Sequence, residues 1–218
     1  MPGDVNYSIG PRAVGIMAAR HRGNRLMRWY NDLVVRVSKS AWLWIMSTVF
    51  AFGSLYFVFL NINEPFEAIV GAQMFDFQNN LTVEQIFAQL ANYDEHARAL
   101  YTAFMFIDFY FPFFAGLTMA AVAAFALRHL APGKYAQIDA KNLFALFLIP
   151  TLFDWGENIS AITTVAAYPE ELTAAATALV LFKKGKLATV MLAQTITLLL
   201  LLAATLKWLG VKVRIIRN

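Results

Sequence analysis

Of 218 residues, 59% are hydrophobic and 15% charged, where an ordinary soluble domain has about 45–50% and about 25%. Eighteen basic and 14 acidic side chains cannot cover a water-soluble particle of this size, and 19 Phe would strain its solubility, so a soluble enzyme is excluded. The absence of Cys excludes a disulfide, a thiolate nucleophile, Cys-ligated zinc and an iron–sulfur cluster. The net charge of +4 does not point to nucleic acid, because the basic residues collect around apolar runs.

The first forty residues form a basic arm. Its apolar neighbour starts only after Ser40, too late for a secretory signal, and the Arg-rich composition leaves a mitochondrial leader as the alternative. From Leu26 to Val37, the residues Leu26, Trp29, Tyr30, Leu33 and Val37 share one helical face, and Arg25, Arg28, Asp32, Arg36 and Lys39 share the other. The pattern predicts an amphipathic helix on an anionic leaflet, or a docking surface for a partner.

Four apolar stretches follow, each at least as long as the roughly 20 residues a membrane crossing needs. They run over about 41–60, 99–127, 142–166 and 187–206. The expected fold is an all-α, polytopic membrane four-helix bundle with an N-terminal interfacial helix, a short helical outer loop and a basic tail over 207–218. Fourteen of the 18 Lys and Arg fall before the first stretch, between the second and third, or after the fourth. By the positive-inside rule those segments, including both termini and the Arg128 to Lys141 loop, face the cytoplasm or the mitochondrial matrix. A bacterial inner membrane is favoured and a mitochondrial inner membrane is the alternative.

In the outer loop, Thr82 and Gln85 have capping-box spacing, which predicts a short helix through Leu90 lying as a lid over the bundle. The segment Glu170 to Phe182 is too short to cross and is expected at the outer interface. Gly185 is expected to loosen the backbone where the last crossing begins. Lys183, Lys184 and Lys186 are awkward in that position, since a basic run before a span favours the inner side.

Three acids lie inside the apolar stretches: Asp108, Asp154 and Glu157. No base neighbours them in the apolar core by sequence, although Lys183 or Lys184 could reach down to them, which would favour a structural cluster. A carboxylate at the bilayer centre costs about 2.5–3.5 kcal/mol on insertion scales, so such groups face the bundle interior and need a reason. Asp154, Glu157 and Asn158 fall on one helical face. Counted from the expected outer ends, Asp108, Glu157 and Gln194 all lie about 13 Å deep, and Gly53 and Ser54 offer close helix approach nearby. Pro112 removes the helical partner of the Asp108 carbonyl, and Pro150 does the same for Leu146 and is expected to kink the third helix. The Phe-rich run from Phe104 to Phe114 reads as lipid-facing and packing surface. His21, His96 and His129 all lie outside the crossings, which argues against haem or His-ligated zinc; no metal and no particular cofactor are implied.

Tyr93-Asp-Glu-His-Ala97-Arg98-Ala-Leu-Tyr101, Asp108-Phe-Tyr-Phe-Pro112 and Asp154-Trp-Gly-Glu157-Asn158 together resemble a family of small uncharacterised four-span membrane proteins of bacteria and some eukaryotes. Its pattern is Tyr-x-x-x-Gly-Arg-x-x-Tyr before the second span, Asp-x-x-x-Pro within it and Asp-x-x-Glu-Asn in the third; here Ala97 stands where that pattern has Gly. The resemblance covers roughly residue 80 to the C-terminus. It implies the four-span architecture and supporting places for Arg98, Tyr93, Tyr101 and Pro112, but no reaction.

Two functions are open on the residues alone. Asp108, Asp154, Glu157, Asn158 and Gln194 could bind a cation, a proton or an apolar or cationic small ligand. Alternatively the cluster is structural, and the chain is a non-catalytic accessory or assembly subunit. Either way the expected partners are the lipid bilayer and other membrane proteins or further copies of this chain, not nucleic acid. Whether it is an enzyme is undecided by sequence: there is no phosphate loop, nucleophile elbow or His-Glu-x-x-His motif.

Overall fold

Long uninterrupted apolar runs satisfy their backbone groups most simply as helices, and helices are the regular structure throughout residues 25–216, the part of the chain the computed structural model describes. Side chains are described as far as Gly210, so Arg12, Arg20, His21, Arg22 and Arg217 lie outside the described residues. In chain order the helices are α1 (Arg25–Val37), α2 (Ala41–Val58), α3 (Glu64–Val70), α4 (Val83–Leu90), α5 (Glu95–Leu130), α6 (Pro132–Ala140), α7 (Ile149–Ala167) and α8 (Thr173–Ile216).

Among the described residues three rods are long and apolar enough to cross a membrane: Ala41–Val70, Glu95–Leu130 and Thr173–Gly210. They suit an integral membrane protein in contact with the lipid bilayer. The first outlasts its expected end because a π-helical turn, Phe59–Asn63, carries α2 directly into α3. The last starts earlier than expected. Residues from Thr173 onward belong to one helix, which corrects the expectation of a separate interfacial segment over Glu170 to Phe182.

Gly185 is not a loosened point either. A Cβ there would run into the Phe153 ring, and one at Gly156 would run into the Phe182 ring. The two glycines are reciprocal notches that let α7 and α8, the most extensively packed pair, come close. Gly53, by contrast, faces open space and does not mediate close approach. Ser54 bonds its own helix at the Phe50 carbonyl and reaches Tyr110 Oη at 3.1 Å.

Between α5 and α8 the chain must return from one end of the bundle to the other. At one end Lys207 Nζ donates to the carbonyls of His129 and Leu130, closing α5. At the opposite end Arg98 donates to Val165 O of α7 at 2.8 Å and lies over the Tyr168 ring. α7 connects these two ends. It is preceded by a 3₁₀ segment, Leu143–Leu148, so the α-helix begins at Ile149 rather than near Asn142. Pro150 therefore sits in the first helical turn, where its missing N–H costs nothing, and no kink arises there. The Leu146 carbonyl accepts from Ile149 N.

Two apolar cores result. At the arm end α1 docks on the bundle through Tyr30, Val34 and Val37 against Leu117, Ala121 and Phe144. Asn31 binds Asp139 Oδ1 at 2.8 Å, and Arg128 donates to Ser38 O. The apolar face of α1 is thus largely spent on the protein itself rather than on a leaflet, although Leu26 and Trp29 are exposed. At the lid end the loop over 64–93 closes on large side chains, Phe66, Phe75, Ile86, Leu90, Tyr101 and Phe104. The Thr82–Gln85 capping box forms as expected and starts α4. Of the Phe-rich run, Phe104 belongs to this core, while Phe106 is turned outward.

Candidate functional site

Between the two cores lies a layer of charge. Asp154 and Glu157 project from one face of α7, and Lys183 and Lys186, with the same spacing of three residues, project from the facing side of α8. Because the helices run antiparallel, the pairs meet in register. Lys183 Nζ lies 2.6 Å from Glu157 Oε1, and Lys186 Nζ lies 2.6 Å from both Asp154 Oδ1 and Glu157 Oε2. Glu157 is fully buried and Lys183 is 2% exposed. The expectation of acids without a buried base is thereby corrected. Lysine hydrocarbon stems cover part of the cost of burial by lying along apolar surface, and close pairing offsets more of it. Lys184, next to Lys183 but off the interior face, is exposed.

A further acid comes from the loop. Asp76 sits in the 3₁₀ turn Phe75–Phe77, with Phe75 anchored in the lid core. Asp76 Oδ1 lies 3.2 Å from Lys186 Nζ, and its carbonyl accepts from Lys183 Nζ. Glutamine side chains hold the loop in this position: Gln78 and Gln89 both donate to Gln73 O, and Gln78 binds Gln89. Asp76, Asp154 and Glu157 place carboxylate oxygens within 4.8 Å of one another. Lys186 Nζ lies among them, so the ammonium occupies the position that a metal ion would take in such a triad.

Asp108 faces the other side of the layer. The carbonyl that Pro112 deprives of its helical partner accepts from Asn158 Nδ2 at 3.2 Å, and the same amide is 3.4 Å from Asp154 Oδ2. α7 repeats this device along one face: Trp155 Nε1 donates to Phe109 O at 2.7 Å and Thr151 Oγ1 to Pro112 O at 3.0 Å. The carbonyl freed by Pro112 is therefore satisfied by Asn158, as a membrane interior requires, and the two other bonds fasten α7 to the same stretch of α5. The Asp108 carboxylate itself is 7% exposed, and its Oδ2 has no hydrogen-bond partner. Asp76 Oδ2 is likewise unpartnered.

Both acids line a cavity of about 290 Å³, together with Asp154, Lys186, Gln194 and apolar groups including Val58, Phe104 and Leu187. Of the site residues singled out by sequence, Asp108, Pro112, Asp154 and Gln194 share this space. Glu157 sits in the ion-pair layer beside it and Asn158 joins the two parts.

Arg98, Tyr93 and Tyr101 serve elsewhere. Arg98 binds the end of α7. Tyr93 and Tyr101 stack in the aromatic lid core with Phe66 and Phe75. Tyr93 accepts from Gln89 Nε2, and burial raises its phenol above the usual range. Asp76 and Lys186 were missed by sequence reasoning, whereas Lys183 takes the place that the sequence left open to Lys183 or Lys184. The signal that identifies the lysines is their spacing of three residues, which matches that of Asp154 and Glu157.

Comparison with known proteins returned no matching family model, no similar curated protein and no similar solved structure.

Proposed function

We propose that the chain is a four-span integral membrane protein whose charged layer binds a cation or a cationic group at Asp108. The observation that carries this reading is the Asp108 carboxylate: buried in a cavity, near only Lys186 among the bases that line it, and left with one oxygen unpartnered. An unpaired charge in such a place is costly, and an incoming ammonium or metal cation would compensate it directly. Asp76 Oδ2 and the Gln194 amide at the same cavity supply further oxygen ligands.

A fourth crossing, beyond the three long apolar rods, is supported by α7. Its 19 residues amount to roughly 28 Å, close to the thickness of a hydrocarbon core, and it joins two ends that neighbouring crossings define. Its acids are shielded by α5 and α8 rather than facing lipid. The Lys and Arg distribution supports both termini on the cytoplasmic side of a bacterial inner membrane, or the matrix side of a mitochondrial one. The three motifs support placement beside the four-span family they resemble. Single cysteines at Asn79 and Ala136 test the topology: labelling from opposite sides is expected, and labelling from one side overturns it.

The cation site is tested by thermal unfolding in detergent over a methylammonium chloride series, with sodium chloride holding ionic strength constant. Wild type is expected to gain several degrees and Asp108→Asn to gain none. The close Lys183–Glu157 and Lys186–Asp154 pairs favour a second reading, an accessory subunit whose layer is structural and whose exposed Trp42 and Trp44 meet a partner or another copy. Equal behaviour of the two proteins in the series selects that reading.

A further inference from the structure

α2 and α8 each pack along α5 but scarcely touch one another. A furrow with α5 as its floor therefore runs between them. The 290 Å³ cavity at Asp108 and a second of about 480 Å³ share Leu55, Phe111, Ala115, Met119 and Gln194, so they adjoin along the furrow. Each falls near or within the roughly 300–1,000 Å³ of small-molecule sites.

The furrow is strongly polarised. At one end stand Asp76, Asp108, Asp154 and Lys186, three acids against one base; beyond Gln194 the walls are Phe52, Leu55, Met119 and Leu198 with Thr118 and Thr197. Thr118 and Thr197 are already bonded, to Ser47 and to the Ala193 carbonyl, so the far end offers little to a polar ligand. Phe52 and Leu198 are each 64% exposed, which places the rims on the outside of the bundle. From Asp108 to Met119 α5 rises about 16 Å. Half of a hydrocarbon core of roughly 30 Å is about 15 Å, the depth one acyl chain fills.

We infer that this furrow takes a single-chain amphiphile with a primary ammonium headgroup, admitted sideways from the bilayer between α2 and α8. The ammonium meets the Asp108 and Asp76 oxygens that lack partners, and the alkyl chain lies over Ala115 toward Met119. Charge complementarity selects this occupant: an anionic or phosphate-bearing head would be set against the excess of carboxylates, and an uncharged one would leave Asp108 uncompensated. The inference rests on the cation site proposed above and adds the chain and the route of entry.

The test uses the full chain in dodecylmaltoside and compares hexadecylamine, hexadecanol, hexadecanoate and methylammonium by native mass spectrometry and thermal unfolding. Hexadecylamine is expected to be retained about tenfold or more over the alcohol and the acid, a factor that corresponds to about 1.4 kcal/mol. Ala51→Trp and Leu198→Trp fill the far end of the furrow, at residues that do not line the cavity at Asp108. Each is expected to lose that preference while keeping the methylammonium response, which also reports that the variant is folded. Equal retention of amine and alcohol, or an amine preference untouched in both tryptophan variants, would overturn the inference. If methylammonium stabilises wild type through Asp108 but the long amine gains nothing from its chain, the cation site stands and the furrow assignment falls. If neither amine has an effect, both fall.

Discussion

Glu157 and Asp108 are buried acids of one polar layer, yet their surroundings oppose each other. Glu157 lies between two ammonium groups, each 2.6 Å away, in a region where α7 and α8 are drawn together by the Gly156 and Gly185 notches. Asp108 lies where α2 and α8 stand apart, borders a cavity and keeps an oxygen without a partner. Charge neutralised within the chain goes with tight helix packing, and charge left over goes with open space. A buried polar layer of this kind can therefore act as a clamp at one side and as a receptor at the other, from the same residue types at nearly the same level of the bundle.

The largest expected effect breaks the clamp. Glu157→Leu leaves Lys183 buried without an acid and is expected to cost about 3–5 kcal/mol in unfolding measured in bicelles. Adding Lys183→Met should restore more than half of that loss, because the uncompensated charge is then removed as well. A double variant no more stable than the single one would show that the pair is not what the layer depends on.

Next comes the link between the two sides. Asn158→Leu removes the donor to the carbonyl freed by Pro112 and is expected to cost about 1–3 kcal/mol. Gly185→Ala should cost a similar amount by pressing on the Phe153 ring, about 1–3 kcal/mol for an overpacked contact. Gly53→Ala, with nothing for its Cβ to meet, should be neutral or slightly stabilising. The pair of glycine variants sharpens the comparison, since only the notch on the closed side is expected to respond.

The smallest expected effect on stability belongs to the open side. Asp108→Asn keeps the shape and removes a buried charge that has no close partner, so the cation-free protein should gain stability, by up to about 1 kcal/mol. Its consequence lies in binding.

Much of this arrangement is legible in the sequence because apolar length and helical spacing are local properties. The rods, the Thr82 cap, the shared face of Asp154, Glu157 and Asn158, and the carbonyl freed by Pro112 all follow from neighbours within a few positions. What was not legible depends on residues far apart in the chain. Lys186 looks like a flanking charge until α8 is seen to begin at Thr173 and to run antiparallel to α7. Asp76 is an ordinary loop acid until Phe75 anchors its turn beneath the lid. Gly185 was misread for a related reason: a glycine in a helix is a weak point when exposed and a notch when an aromatic ring fills it.

The most direct measurement is a carboxyl ¹³C NMR titration of ¹³C-aspartate-labelled protein with methylammonium, with resonances assigned through Asp108→Asn and Asp154→Asn. The Asp108 carboxyl signal is expected to shift saturably while the Asp154 signal, held by Lys186, moves little. A stationary Asp108 signal, or a response confined to Asp154, would contradict the division of the layer into a closed clamp and an open cation site.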